Sequence, residues 1–312
     1  MSSKRSGSGV KMIWVALVMV ILTVASFVSG FYVGSVVMGD TGFVIVDDYG
    51  RTVKLSGVPD RIVSVAPTPT EILFAVGAGP QVVGVDNYSD YPAEAVSLPK
   101  VGSFTLNLEA IIALNPDLIV ASDLVPLQQL EALSDQGIPY ILFADRTVED
   151  VLKTIRLAGV VTGHVDEADD LASSLAVRVS AVTNKTLADG VSSPIVYVEY
   201  YPLWTYGPGS FGDDLIALAG GVNIAHNASS EYPVVDTEYV IAQNPDVIVY
   251  TSGVMSTTTA ESIAARPGWT NITAVSENHI YSIDDNLLSR YGPRVIDGLE
   301  QLAAILHPEL LD

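Results

Sequence analysis

Asn107–Val120, NLEAIIALNPDLIV, aligns without a gap on Asp236–Val249, DTEYVIAQNPDVIV, through the shared frame Glu-x-x-Ile-Ala-x-Asn-Pro-Asp-x-Ile-Val. Each copy reads as a short capped helix, a stop at Asn-Pro and a buried strand, because proline drives the residue before it out of the α region. Two equivalent helix–strand corners in one chain predict two α/β lobes. Ligands commonly lie in the cleft between such lobes.

Working outward, strands and helices alternate on both sides of the pair. RIVSVAP reads as a strand, TPTEILFAVGAG as a helix with Thr68 or Thr70 near its cap, and QVVGVD as a strand. VPLQQLEALSDQG is a helix and IPYILFA a strand. Continuous apolar strand runs between helices indicate parallel sheets covered on both faces. From Thr147 to Leu187 no strand interrupts a long helical stretch, with Gly159 and Gly163 marking a bend or break. Alternation resumes at PIVYVEYY and runs to RVIDGLEQLAAILHPELL, an amphipathic closing helix. GFVIVDDYGRTVKL, ahead of the first lobe, reads as a hairpin turning at Asp48–Arg51.

The boundaries are therefore a basic flank over 1–11, an apolar segment over 12–38, an N-terminal lobe with its hairpin over 42–146, a helical strut over 147–187 and a C-terminal lobe over 188–312. Residues 12–38 carry no charge and are long enough to cross a bilayer core of about 30 Å. Lys4, Arg5 and Lys11 precede them, which places the flank in the cytoplasm and the globular part outside the cell membrane as a single-pass protein. A cleaved signal segment is the rival reading, given Ala25, Ser26, Ser29 and Gly30. On an exported chain the tripeptides at Asn87, Asn184, Asn227 and Asn271 are glycan acceptor sequences.

A net charge of −21, from 36 acidic and 15 basic residues, opposes nucleic-acid binding over most of the surface. The absence of cysteine removes disulfides, thiolate metal sites and a lipid-bearing N-terminal cysteine.

Four stretches taken in order carry a family resemblance: RIVSVAPTPTEILFAVGAG; NYSDYP with NLEAIIALNPDLIVAS; YGPGSFGDDLIALAGGVNIA; and SRYGPRVIDGLEQLAAILHPEL. From about Arg51 to its end the chain resembles the cobalamin and ferric-siderophore binding proteins of ABC importers. The resemblance implies two Rossmann-like lobes joined by a single long interdomain helix, the class III periplasmic-binding-protein architecture, here preceded by an N-terminal transmembrane helix. It implies a corrinoid or ferric siderophore as cargo, no intrinsic cofactor, no enzymatic activity, and an ABC permease and ATPase complex as partner. It maps permease-docking carboxylates onto Glu109 and Glu238, the pair that the internal repeat also selects. An acidic residue in a first helical turn also simply complements the helix dipole.

For the cleft, the resemblance points to Tyr88 and Phe104. Tyr200, Tyr201, Trp204 and Tyr206 cluster after a predicted strand and supply amphipathic surfaces for a bulky chelate, with core packing as the alternative for each. Arg290 and Arg294 have the chemistry to meet ligand carboxylate, phosphate or catecholate, or else to anchor their loop to a neighbouring helix.

Other readings fit less well. GPGSFG satisfies a dinucleotide fingerprint literally, but YYPLWTY before it is a long connection instead of a tight strand-to-helix turn. Four widely spaced histidines offer no short metal-ligand pair, and no Gly-x-Ser-x-Gly elbow appears. An anchored receptor or sensor domain using the same fold without transport is the alternative from another class.

Overall fold

The computed structural model describes residues 37–39, 42–253 and 258–310. Two four-stranded sheets, parallel throughout, organise it. In the first, β4 (Ile62–Ser64), β5 (Val82–Val85), β6 (Leu118–Ser122) and β7 (Tyr140–Phe143) lie in the order β5-β4-β6-β7. In the second, β8 (Ile195–Glu199), β9 (Val222–Asn223), β10 (Val247–Ser252) and β11 (Ile280–Asp284) lie in the order β9-β8-β10-β11. Both orders are second-first-third-fourth, so the lobes share one topology. The repeated sequence occupies the same place in each: α3 (Leu108–Ala113) leads into β6, and α8 (Thr237–Gln243) leads into β10. Asn107 and Asp236 cap these helices by accepting from the N–H of Ala110 and Tyr239. Asn115 and Asn244 end them with φ near +47° and +46°, a left-handed turn that asparagine tolerates better than most residues.

The predicted hairpin is present as β2 (Gly42–Val46) and β3 (Thr52–Leu55), extended by β1 (Val37–Gly39) against β2. Val37 and Met38, read from the sequence as the end of an apolar span, are therefore paired in a strand. The remainder of that span, residues 12–36, lies outside the described residues. Among the described residues no helix is long and apolar enough to cross a membrane.

The stretch 147–187 is two helices, α5 (Val148–Thr162) and α6 (Val165–Thr186), turning at Gly163 with φ +79°. Gly159 lets them approach, since a Cβ there would collide with Ala168. α5 meets the second lobe where Val148 N–H donates to Asp214, and α6, the longer of the two, has 22 residues that span about 33 Å. His164, just ahead of it, lies against Gly77 after α1 (Pro67–Ala75) of the first lobe. At its other end Thr186 donates to the carbonyl of Leu218, and Lys185 to that of Leu310. Arg178 meets Asp297 and Glu300 of α12 (Val295–Leu306) at 2.6 Å each. One cluster of buried side chains runs from Ile45 in the hairpin through Val151, Ala172 and Leu215 to Leu299. This continuous core couples the lobes mechanically.

The hairpin turn is tied to the first lobe by carboxylates. Asp47 accepts from Arg51 and from the N–H of Leu142, and Thr154 Oγ1 lies 2.6 Å from Asp145 and 3.0 Å from Asp48. A hydroxyl has one proton and donates to one of these carboxylates only. Burial raises both Asp145 and Asp48 above the usual carboxylate range. The folded chain then retains a proton that the unfolded chain has released, so this contribution to stability is present at acid pH and is lost as pH rises through the folded value. Asp145→Asn is therefore expected to leave stability near pH 4 little changed and to increase it near pH 8. Urea midpoints at the two pH values check it, and an equal shift at both would remove the titration account.

Candidate ligand site between the lobes

In open parallel sheets ligands bind beyond the carboxyl ends of the strands, where the strand order reverses. Here that point lies between β4 and β6 in one lobe and between β8 and β10 in the other. The loops beyond these strand ends meet across the lobes. Arg146, following β7, donates to Glu231 of the second lobe at 2.7 Å, and Arg290 donates to Asp90 of the first at 2.5 Å.

On the first lobe Asp86, at the end of β5, accepts from Ser89 Oγ and from the N–H of Tyr88 at 2.9 Å. This turn leaves Tyr88 55% exposed. Gln129 holds the neighbouring loop by accepting from Leu106 N–H at 2.6 Å and donating to the Phe104 carbonyl at 3.0 Å. Gly102, with φ +100°, admits the tight turn before it. Phe104 is left 62% exposed with its ring 6.1 Å from that of Tyr88. The structure thus brings these two expected residues together.

On the second lobe the loop after β8 is built around Glu199, whose side chain is fully buried. It accepts from Tyr197 Oη at 2.7 Å, from Leu203 N–H at 3.1 Å and from both terminal nitrogens of Arg266 at 2.6 and 2.7 Å. Tyr200 and Trp204 emerge from this loop with ring centroids 6.4 Å apart, and Tyr201 stands exposed beside them. Tyr206 differs from the expectation: it is 4% exposed, under Gly212, and serves as the buried floor 5.0 Å from Tyr200. Tyr232, which sequence reasoning missed, completes the cluster edge-on to Tyr200 at 6.4 Å. The signal for it was the Glu-Tyr-Pro at 231–233, which matches Asp-Tyr-Pro at 90–92.

Arg290 and Arg294 are occupied. Arg294 makes a bidentate pair with Glu71 at 2.9 and 2.6 Å and lies 3.8 Å over the ring of Tyr91. Arg290 meets Glu71 at 3.4 Å in addition to Asp90. Their observed role is to join α1 to the C-terminal segment, the anchoring alternative. Glu109 and Glu238 are both exposed, in the first turns of α3 and α8.

Two surface hollows, of about 440 and 680 Å³, lie elsewhere, beside α8 and beside the end of α1, and neither is lined by Tyr88, Phe104, Tyr200 or Trp204. The exposed aromatic edges beyond the carboxyl ends of the two sheets are the better candidate.

Known proteins with this arrangement bear on it. An uncharacterized ABC transporter substrate-binding lipoprotein of Bacillus subtilis, YvrC, is 32% identical over 276 residues, 85% of this chain and 86% of that one. Among solved structures, the periplasmic heme-binding protein RhuT from Roseiflexus sp. RS-1 superposes with a TM-score of 0.72 at 29% identity, covering 80% of this chain and 98% of that one. The periplasmic vitamin B12 binding protein BtuF of Vibrio cholerae gives 0.71 at 27%, with the same coverage. Residues 62–287, which hold both sheets and the loops at their facing edges, match the periplasmic binding protein model, and the chain belongs to that family.

Proposed function

We propose that this chain is the extracytoplasmic solute-binding component of an ABC importer, capturing a metal chelate between its lobes and delivering it to a permease. The observation that carries the reading is the pair of aromatic edges, Tyr88 with Phe104 beyond β5 in one lobe and Tyr200 with Trp204 beyond β8 in the other, both past the carboxyl ends of their sheets. Exposed aromatic faces bind flat or bulky apolar ligands by stacking and by burial of large area. A corrinoid or a ferric siderophore has both properties, and relatives named for vitamin B12 and heme support this class.

Residues 12–36 are proposed as the tether. Without the two residues paired in β1 they still exceed the about 20 needed to cross a bilayer. The Bacillus subtilis relative is a lipoprotein, whereas this sequence has no cysteine to acylate.

Glu109 and Glu238 are proposed to dock on permease arginines, one from each lobe. Their support is equivalence: both are exposed first-turn residues behind matching caps. Charge-assisted pairs at two separated points set orientation as well as affinity. Charge reversal of both to arginine is expected to lower chelate uptake into cells or proteoliposomes at least about tenfold while leaving chelate affinity within about twofold. Titration of the purified chain with cobalamin and ferric hydroxamate tests binding itself. Retained uptake in the reversed variant would remove the docking assignment.

A further inference from the structure

We infer that the cleft is built for a chelate carrying no net negative charge, whose metal is already saturated by its own ligands and which is gripped through ring stacking. This deepens the solute-binding reading and rests on it. The first observation is a symmetric pair of ion bridges. Arg146 follows the fourth strand of the first lobe, and Arg290 follows the fourth strand of the second through a short helix. Each meets an acid that precedes Tyr-Pro in the loop after the second strand of the opposite lobe: Arg146 with Glu231 at 2.7 Å, Arg290 with Asp90 at 2.5 Å. Asp123 lies 3.6 Å from Arg146, and Glu71 lies 3.4 Å from Arg290. With Arg294 held by Glu71, the three guanidiniums that reach across the lobes are thus neutralised by carboxylates before any ligand arrives. A polyanionic chelate would have to displace Glu231 and Asp90, and would then face them and Asp123 as like charges.

A second observation concerns the metal. The chain has no cysteine. Among the described residues, His226 is the histidine that follows a strand end, and its two ring nitrogens are engaged by the Asn223 carbonyl and the Asn227 side chain. Among the described residues no cysteine, and no histidine that follows a strand end with its ring nitrogens unengaged, stands ready for an axial position, and the exposed rings offer their faces for stacking, which suits a metal whose coordination is complete.

The test is an equilibrium titration of the purified full-length chain in detergent with four probes: cyanocobalamin, which is neutral; ferrioxamine B, a cation; heme, with two propionates; and ferric enterobactin, a trianion. One of the first two is expected to bind at least about 100-fold more tightly than either anion, with affinity changing less than about twofold between roughly 50 and 500 mM NaCl. Asp90 and Glu231 are 65% and 46% exposed, so D90N with E231Q preserves the fold while leaving Arg290 and Arg146 with only the longer contacts to Glu71 and Asp123. That variant is expected to gain about tenfold or more for heme or ferric enterobactin. An anionic probe binding tightest to the unaltered chain overturns the charge selection and leaves the solute-binding reading standing. Unchanged anion affinity in the double variant overturns the role of the two bridges. Binding of none of the four overturns both the selection and the reading beneath it.

Discussion

Replacing Glu71 with alanine is expected to destabilise the protein by about 3–5 kcal/mol, the cost of leaving buried partners of a charge uncompensated. The Glu71 side chain is 1% exposed, and the two arginines it binds are 14% and 20% exposed. Arg294 would lose both of its hydrogen bonds to that carboxylate while remaining stacked on Tyr91. Arg290→Ala should cost much less, because Glu71 keeps its bidentate partner and the freed Asp90 is largely in solvent. Glu71→Gln should fall between, retaining an acceptor without the charge. Glu71 sits on the first helix of one lobe and its arginines near the end of the chain, so the loss should also appear as faster hydrogen exchange at Ile72, Leu73, Val295 and Ile296, which are buried beside the contact. Urea unfolding measures the stability. A change below about 1 kcal/mol would mean that the cluster holds the lobes together no better than solvent would.

The same cluster marks where reading the sequence stops. The alternation of apolar strands with helices was legible because β6 and β7 are buried on both faces and leave no polar position to blur the run. The two lobes were legible because Asn-Pro ends α3 and α8 by a local rule that needs no tertiary contact. Tyr88 and Phe104 followed from resemblance and stand together in the structure. The partners of Arg290 and Arg294 were not legible: Glu71 lies 219 and 223 positions away, and a guanidinium seeking a ligand has the same local sequence as one seeking a carboxylate. Tyr206 was misassigned for a related reason. Nothing within YYPLWTY tells which rings point inward, and only the close packing of Gly212 on the Tyr206 ring, six residues on, decides it. The helix break at Gly163 was anticipated, but the reversal of the chain there depends on Gly159 facing Ala168, a contact between two helices that neither one encodes alone.

Replacing Glu199 with alanine is expected to weaken chelate binding at least about tenfold and to lower stability by about 3 kcal/mol or more, since Arg266 loses its buried partner. Glu199 touches no ring of the candidate site, so its effect on binding would pass through the loop that carries Tyr200 and Trp204. Leu203 in that loop has φ +64°, a left-handed conformation that costs a residue with a Cβ roughly 1–2 kcal/mol. Its N–H donates to Glu199, and its carbonyl accepts from Val235 N–H at 2.9 Å, so the strained turn is held from both sides. Strain of this kind persists where surrounding contacts over-determine it. Leu203→Gly relieves the strain and keeps both hydrogen bonds, but it also removes a partly buried side chain from the second-lobe core and loosens the unfolded chain, so chelate affinity should stay nearly unchanged while stability falls by no more than about 1–2 kcal/mol. The two variants separate positioning from simple folding. Comparing chelate affinity under conditions where each is fully folded, a loss confined to Glu199→Ala supports the carboxylate as the part that aims the aromatic edge. Wild-type affinity in folded Glu199→Ala would reduce Glu199 and Arg266 to a stabilising pair, and the orientation of Trp204 would then rest on its own pairing with Val234.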